Sequence, residues 1–109
     1  MKLPRAEEVQ IDARKVRGYL LSQTHPVGRF KARVFGAVGF DDTKVDAFIA
    51  ELRRIAAVGE VAEVEDIEFG RKYTVPGDLK GPAGSVQVLT VWIQEPGQGD
   101  VRLVTVRPR

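Results

Sequence analysis

The chain has 109 residues, 43% of them apolar and 29% charged, with a net charge of +2. That is the length of one domain and the composition of an ordinary globular protein, which excludes a disordered chain. No apolar run approaches the roughly 18 residues of a membrane span, the N-terminal residues lack the apolar core of a signal peptide, and the absence of cysteine excludes disulfides, thiolate metal sites and a thiol nucleophile. The expectation is a single cytoplasmic domain over residues 1–109.

The small net charge hides an uneven distribution. Residues 1–40 carry eight Lys/Arg against three Asp/Glu, residues 41–70 three against nine, and residues 71–109 six against three. If the terminal blocks share a face, that face attracts a polyanion, while the acidic middle suits a basic partner.

In chain order, Val9 and Ile11 flank Gln10 in the pattern of a short edge strand. Asp12 stands where an N-cap opens a helix from about Ala13 to Leu21, with Val16, Leu20 and Leu21 inward and Gly18 weakening it. Residues 22–28 read as a loop holding the only histidine, His25. Pro26 biases the residue before it toward extended backbone, which sets His25 just ahead of the next helix. That helix runs from about Arg29 to Val38. Phe30, Val34 and Val38 recur every four residues and Phe35 widens the stripe, so Phe30 is expected inside, with Arg29, Lys31 and Arg33 flanking or opposing the stripe. Gly39 suits the C-terminal cap. A third helix, capped by Asp42 or Thr43 and ended by Gly59, places Val45, Phe48, Ile49, Leu52, Ile55 and Ala56 on one face.

From Glu60 the texture changes to strands and turns. Strands are expected over 61–69, over 71–75 with a stop at Pro76-Gly77-Asp78, over 85–94, and over 101–106, with turns at 81–84 and 96–100. The 85–94 run is apolar on both parities, as a central strand is, and its Trp92 belongs in the core. A helical part at about 12–58 followed by a sheet part at about 60–107 predicts an α+β fold, N-terminal helices packed on one face of a roughly four-stranded antiparallel sheet.

The run Tyr19–Phe35, with its His-Pro-x-Gly-Arg-x-Lys core, then Gly39-Phe40, Thr90-Val91-Trp92-Ile93 and Arg102-Leu103-Val104-Thr105, resembles a family of small bacterial domains of unknown function. Members of that family occur as free-standing chains and as modules of phage-related or toxin-like proteins. The order of elements more distantly resembles the barnase–EndoU–colicin–RelE superfamily of ribonuclease toxins, which implies helices before a four-stranded sheet, RNA as substrate, no metal, and a cognate inhibitor protein. One departure stands out: a single histidine cannot serve a two-histidine mechanism.

Metal-free RNA cleavage needs a base for the 2′-hydroxyl, an acid for the 5′-oxygen, and cations on the phosphate. His25 is the natural acid or base, because imidazole titrates near neutral pH. Arg29 and Lys31 are candidates to hold the phosphate, an arginine through its bidentate fork. Tyr73 is a candidate proton relay, and Arg33, Arg71, Thr90, Arg102 and Thr105 are candidate substrate contacts. A metal cage is not expected: Glu63 and Glu65 share one strand face, Asp66 and Glu68 the other, and a divided set holds a cation poorly. Gly36-Ala37-Val38-Gly39 lacks the Lys-Ser/Thr of a phosphate loop. No cofactor is implied. The alternative is a non-catalytic protein-interaction module of a toxin- or phage-associated system, in which the His-Pro motif only shapes a loop.

Overall fold

The computed structural model describes residues 1–22, 24–25, 29–97 and 99–109. A 3-10 turn (Ala6–Glu8) precedes three helical segments and four strands: α1 (Ala13–Lys15) running directly into a π-helical turn (Val16–Leu20), α2 (Arg29–Ala37), α3 (Val45–Val58), β1 (Glu63–Ile67), β2 (Gly70–Gly81), β3 (Gly84–Gln94) and β4 (Val101–Pro108). The strands form one antiparallel sheet in the order β1-β2-β3-β4, and the helices pack on one face of it. The α+β architecture expected from the sequence is the one observed.

Asp12 caps α1 as its chemistry dictates, its carboxylate accepting the Arg14 N–H at 2.9 Å. Past Lys15 the helix widens, and the Leu21 N–H reaches back five residues to the Val16 carbonyl at 2.9 Å. At the end of α2, Gly39 takes φ +101° and the Phe40 N–H closes on the Phe35 carbonyl at 3.0 Å, the six-to-one bond that favours glycine there. The stretch before α3 departs from expectation. Lys44 is the residue that flanks the helix, and Asp41 instead folds the approach by accepting from the Thr43 N–H (2.9 Å) and hydroxyl (2.5 Å).

The core lies between α3, the inner side of α2 and the helix-facing side of the sheet. Phe48, Leu52, Ile55 and Ala56 of α3 are buried with Val75, Leu79, Val88, Trp92 and Val106. Phe48 is its aromatic hub, with ring centres 5.1 Å from Phe35 and 5.2 Å from Phe40. The sheet comes close to α3 at Gly77, where a Cβ would fall 2.7 Å from Ile55 Cγ2, so any larger residue would have to displace the Ile55 side chain.

Two expectations fail for tertiary reasons. β2 does not stop at Pro76 but runs on to Gly81. β1 pairs with β2 only as far as Thr74, so beyond it one side of β2 has no partner strand, and a proline lacking an N–H costs no ladder bond there. Helix α2 is also turned away from the expected stripe. Ala32 and Phe35 are buried, whereas Phe30 is 59% exposed. The contact of Phe35 with Phe48 sets this rotation, with small Ala32 beside it letting the helix approach. Segment 9–11 does form an edge: Gln10 bridges Arg102 of β4 in parallel, donating to the Val101 carbonyl (2.8 Å) and accepting from the Leu103 N–H (2.9 Å).

Candidate functional site

Residues two apart on a helix point about 200° from each other. The three cations of α2 therefore cannot converge on one phosphate. With Phe35 turned into the core, Lys31 swings toward the sheet while Arg29 and Arg33 face solvent. The Lys31 Nζ donates to the Thr105 Oγ1 of β4 at 2.9 Å and sits 5.4 Å from the centre of the Tyr19 ring. His25 meets the same ring edge-on, with ring centres 4.8 Å apart at 79°. Tyr19 is thus the surface on which imidazole and ammonium gather.

The loop before α2 positions the histidine through its backbone. The Ser22 hydroxyl accepts the N–H of Thr24 (3.3 Å) and of His25 (3.2 Å), and the His25 carbonyl accepts the Arg29 N–H at 3.0 Å. Pro26, Val27 and Gly28 of the His-Pro-x-Gly-Arg-x-Lys motif lie outside the described residues.

A β-bulge completes the site. Register shifts between Val91 and Trp92, so that Val91 opposes Thr105 and Trp92 opposes Leu103, with Val104 left over. The Lys15 ammonium donates to the Val104 carbonyl and that of Lys31 to the next residue's hydroxyl. Two ammoniums are thereby held by consecutive residues of one strand. Burial pushes the Lys31 pKa below the usual lysine value, and the like charges of Arg107 and Lys15 push the same way. Lys15 is lowered too, by burial and then by Arg102, with Asp12 opposing. Both lysines are thus held with their charged forms disfavoured, chiefly by burial and secondarily by neighbouring cations, and an anion nearby would favour the charged forms.

These shifts carry a sign for stability. Where folded lysines have depressed pKa values, the folded chain binds fewer protons than the unfolded one between the depressed and the ordinary value, so stability rises with pH across that window. As pH rises toward the ordinary lysine value, the melting temperature of the parent should therefore gain on that of a Lys31→Met variant, which has no such group. Parallel curves from the two proteins would show that Lys31 is not compressed in this way.

The other sequence candidates lie elsewhere. Tyr73 is 2% exposed within the core, its hydroxyl directed to Gln94 Oε1 at 3.4 Å, and it does not join His25 and Lys31. Arg71 pairs with Asp66 at 2.7 Å and Arg102 with Glu95 at 2.9 Å. Thr90 is fully buried, donating to the Val75 carbonyl at 2.7 Å and accepting from the Trp92 Nε1 at 2.8 Å. Its hydroxyl is occupied by the core. Thr90→Val should cost about 1–3 kcal/mol by stranding the indole N–H, seen as a lower denaturation midpoint. A Thr90→Val protein as stable as the parent would contradict this.

Of the sequence candidates, His25, Lys31 and Thr105 come together, Lys31 bonding Thr105 and sharing the Tyr19 ring with His25. Tyr19, Lys15, Arg107 and the bulge were missed. Lys15 and Tyr19 are four apart, a spacing that puts them on one helix face, but nothing in the sequence pairs that face with β4. Lys15 and Arg102 line a groove of about 290 Å³ with Gln10 and Leu103. A larger cavity, about 530 Å³, opens between Arg71, Asp66 and Glu95, away from the cluster. Among the described residues no three His, Cys, Asp or Glu side chains gather as a metal set, and no helix is long and apolar enough to cross a membrane.

A family model described as a domain of unknown function, DUF6883, matches residues 2–109. No curated protein matches the chain. Among solved structures, a chain of a contact-dependent growth inhibition toxin–immunity protein complex from Klebsiella pneumoniae 342 aligns with a TM-score of 0.70, at 18% identity, over 91% of this chain and 98% of that one. At that identity the likeness is one of fold.

Proposed function

The chain belongs to this family of unknown function, and from that premise we propose that it is a toxin-like ribonuclease that cleaves RNA with side chains alone. The observation that carries the reading is the meeting of His25 and Lys31 on the Tyr19 ring, with Lys31 anchored on Thr105. The His25 imidazole takes the proton of a 2′-hydroxyl, whose oxygen attacks the adjacent phosphorus. The bond to the 5′-oxygen breaks, leaving a 2′,3′-cyclic phosphate. Lys31 gives the departing oxygen its proton, a task for which a lowered pKa makes an ammonium more apt. Lys15 and Arg107 offset the growing negative charge on phosphate. This division answers the lack of a second histidine.

The gathering of Lys15, Lys31 and Arg107 near β4 suits a polyanion such as RNA. A fold shared with a chain of a toxin–immunity protein complex fits a toxin-related role with a cognate protein partner; action on cytoplasmic RNA, and masking of the cations by that partner, are part of the proposal. The test is incubation of mixed RNA with the purified chain in EDTA. Cyclic-phosphate ends are expected; intact RNA under conditions where the chain is folded and inhibitor-free would remove the enzymatic reading.

A second reading, a non-catalytic interaction module, draws on one observation. The edge strand β1 is acidic and open: Glu63, Val64, Glu65 and Asp66 are exposed, and neighbouring Phe69 is 68% exposed. Acids on an edge also prevent strand-to-strand aggregation, which explains them without a partner.

A further inference from the structure

We propose that helix α2 carries a stacking platform for an unpaired RNA base, formed by the Phe30 ring with the guanidiniums of Arg29 and Arg33. Phe30 is a large apolar side chain left 59% exposed in the first turn of α2. Single exposed apolar residues are common on protein surfaces, so exposure alone assigns nothing. The surroundings do. The Arg29 Cζ lies 5.1 Å and the Arg33 Cζ 5.8 Å from the Phe30 ring centre. Among the described residues neither guanidinium has a carboxylate within ion-pair distance, although the chain holds fifteen Asp and Glu. Two unneutralised planar cations around an exposed ring make a layered surface with π-faces and phosphate-binding edges.

The platform is tied to the cleavage site by the backbone. The Arg29 N–H is bonded to the His25 carbonyl at 3.0 Å, so the first turn of α2 begins where the histidine ends. Lys31 leaves the same turn on the side facing β4. Lys31 directly follows Phe30 in the chain, and the proposal sets a neighbouring base of an RNA strand held at Lys31 on the Phe30 ring. Stacking of this kind tolerates any base, because each has a π-face, but it requires the base to be out of a duplex. The inference rests on the reading of the cluster as an RNA site and adds to it a preference for single strands. An acidic protein segment is the other partner such cations attract, but it gives the ring no role.

The test uses the full chain with His25→Ala, to prevent cleavage, and a single-stranded RNA oligonucleotide carrying one 2-aminopurine, titrated in EDTA at several salt concentrations. Adding Phe30→Ala should weaken binding by about 5- to 100-fold and abolish quenching of the 2-aminopurine, leaving the salt slope unchanged. Arg33→Gln should lower that slope by roughly 0.7, one single-strand phosphate contact. Duplex RNA should bind the Phe30→Ala protein as it binds its parent. Phe30→Trp should keep the affinity and show indole emission quenched by the single strand, which guards against loss of fold as the cause. Unchanged single-strand affinity and quenching in Phe30→Ala would overturn the platform, and so would a Phe30 effect confined to an acidic protein ligand. The two proposals separate cleanly. A parent that cleaves RNA regardless of Phe30 retains the catalytic reading and loses the platform. A parent that never cleaves, yet whose single-strand binding depends on Phe30, does the reverse.

Discussion

His25→Ala is expected to slow RNA cleavage at least ~100-fold in EDTA, the scale of a lost general acid–base group. The side chain is half-buried against one edge of Tyr19, so its removal leaves the core untouched and the melting temperature close to that of the parent. Lys31→Met should lose at least as much activity, since it removes both a cation at the phosphate and the proposed proton donor. The double variant should be little worse than either single one, because groups acting in one step are not additive. In the parent, the alkaline limb of the pH–rate profile should fall below the ordinary lysine range, as burial and the charges of Arg107 and Lys15 lower the pKa of Lys31. Cleavage that is equal in His25→Ala and parent would place the active site elsewhere or expose a contaminant. Loss in His25→Ala with retention in Lys31→Met would leave the base in place and remove Lys31 as the acid.

Phe48→Ala should be the most damaging core substitution of its size. Phe48 is fully buried and its ring contacts those of Phe35 and Phe40, so truncation opens a cavity between α2, α3 and the turn that joins them. The expected loss is about 3–5 kcal/mol, which in a domain of this length lowers the melting temperature by about 15–25 °C. The loss extends to the site, because Phe35 holds the rotation of α2 that aims Lys31 at Thr105. RNA cleavage should fall even at temperatures where the variant is still mostly folded. Val64→Ala, on the exposed edge strand, should stay within about 0.5 kcal/mol of the parent. Equal midpoints for Phe48→Ala and parent in urea would disprove the hub.

What was legible in the chain follows from how local the cause is. Asp12 announces its cap, and the spacing from Val45 to Ala56 announces α3, because both depend on neighbours within a few residues. The antiparallel sheet was readable from turn residues and from the two apolar parities of β3. The inward side of α2 was not. Phe30 and Phe35 offer competing stripes, and the choice falls to Phe48, which lies in another helix. Pro76 was misread for a similar reason: a proline stops a strand only if a partner needs its N–H, and β1 ends at Thr74. At the candidate site the sequence supplied His25, Lys31 and Thr105 but also Tyr73 and Thr90, whose residue types suit catalysis and whose positions are interior. Lys15 was overlooked because its acceptor, the Val104 carbonyl, becomes available only at a bulge that no local pattern encodes.

The bulge also imposes an order in time. Lys15, Tyr19, His25 and Lys31 all leave the ribosome well before Val104 and Thr105, and at roughly 5–20 residues per second several seconds separate the two groups. Until β4 emerges and joins β3, the ammoniums of Lys15 and Lys31 have no strand to hold them, and Gln10 has no edge to bridge. The proposed RNA site is therefore incomplete in a nascent chain and is assembled only when β4 docks. Under the proposed function, that delay is a window in which an inhibitor can already be present.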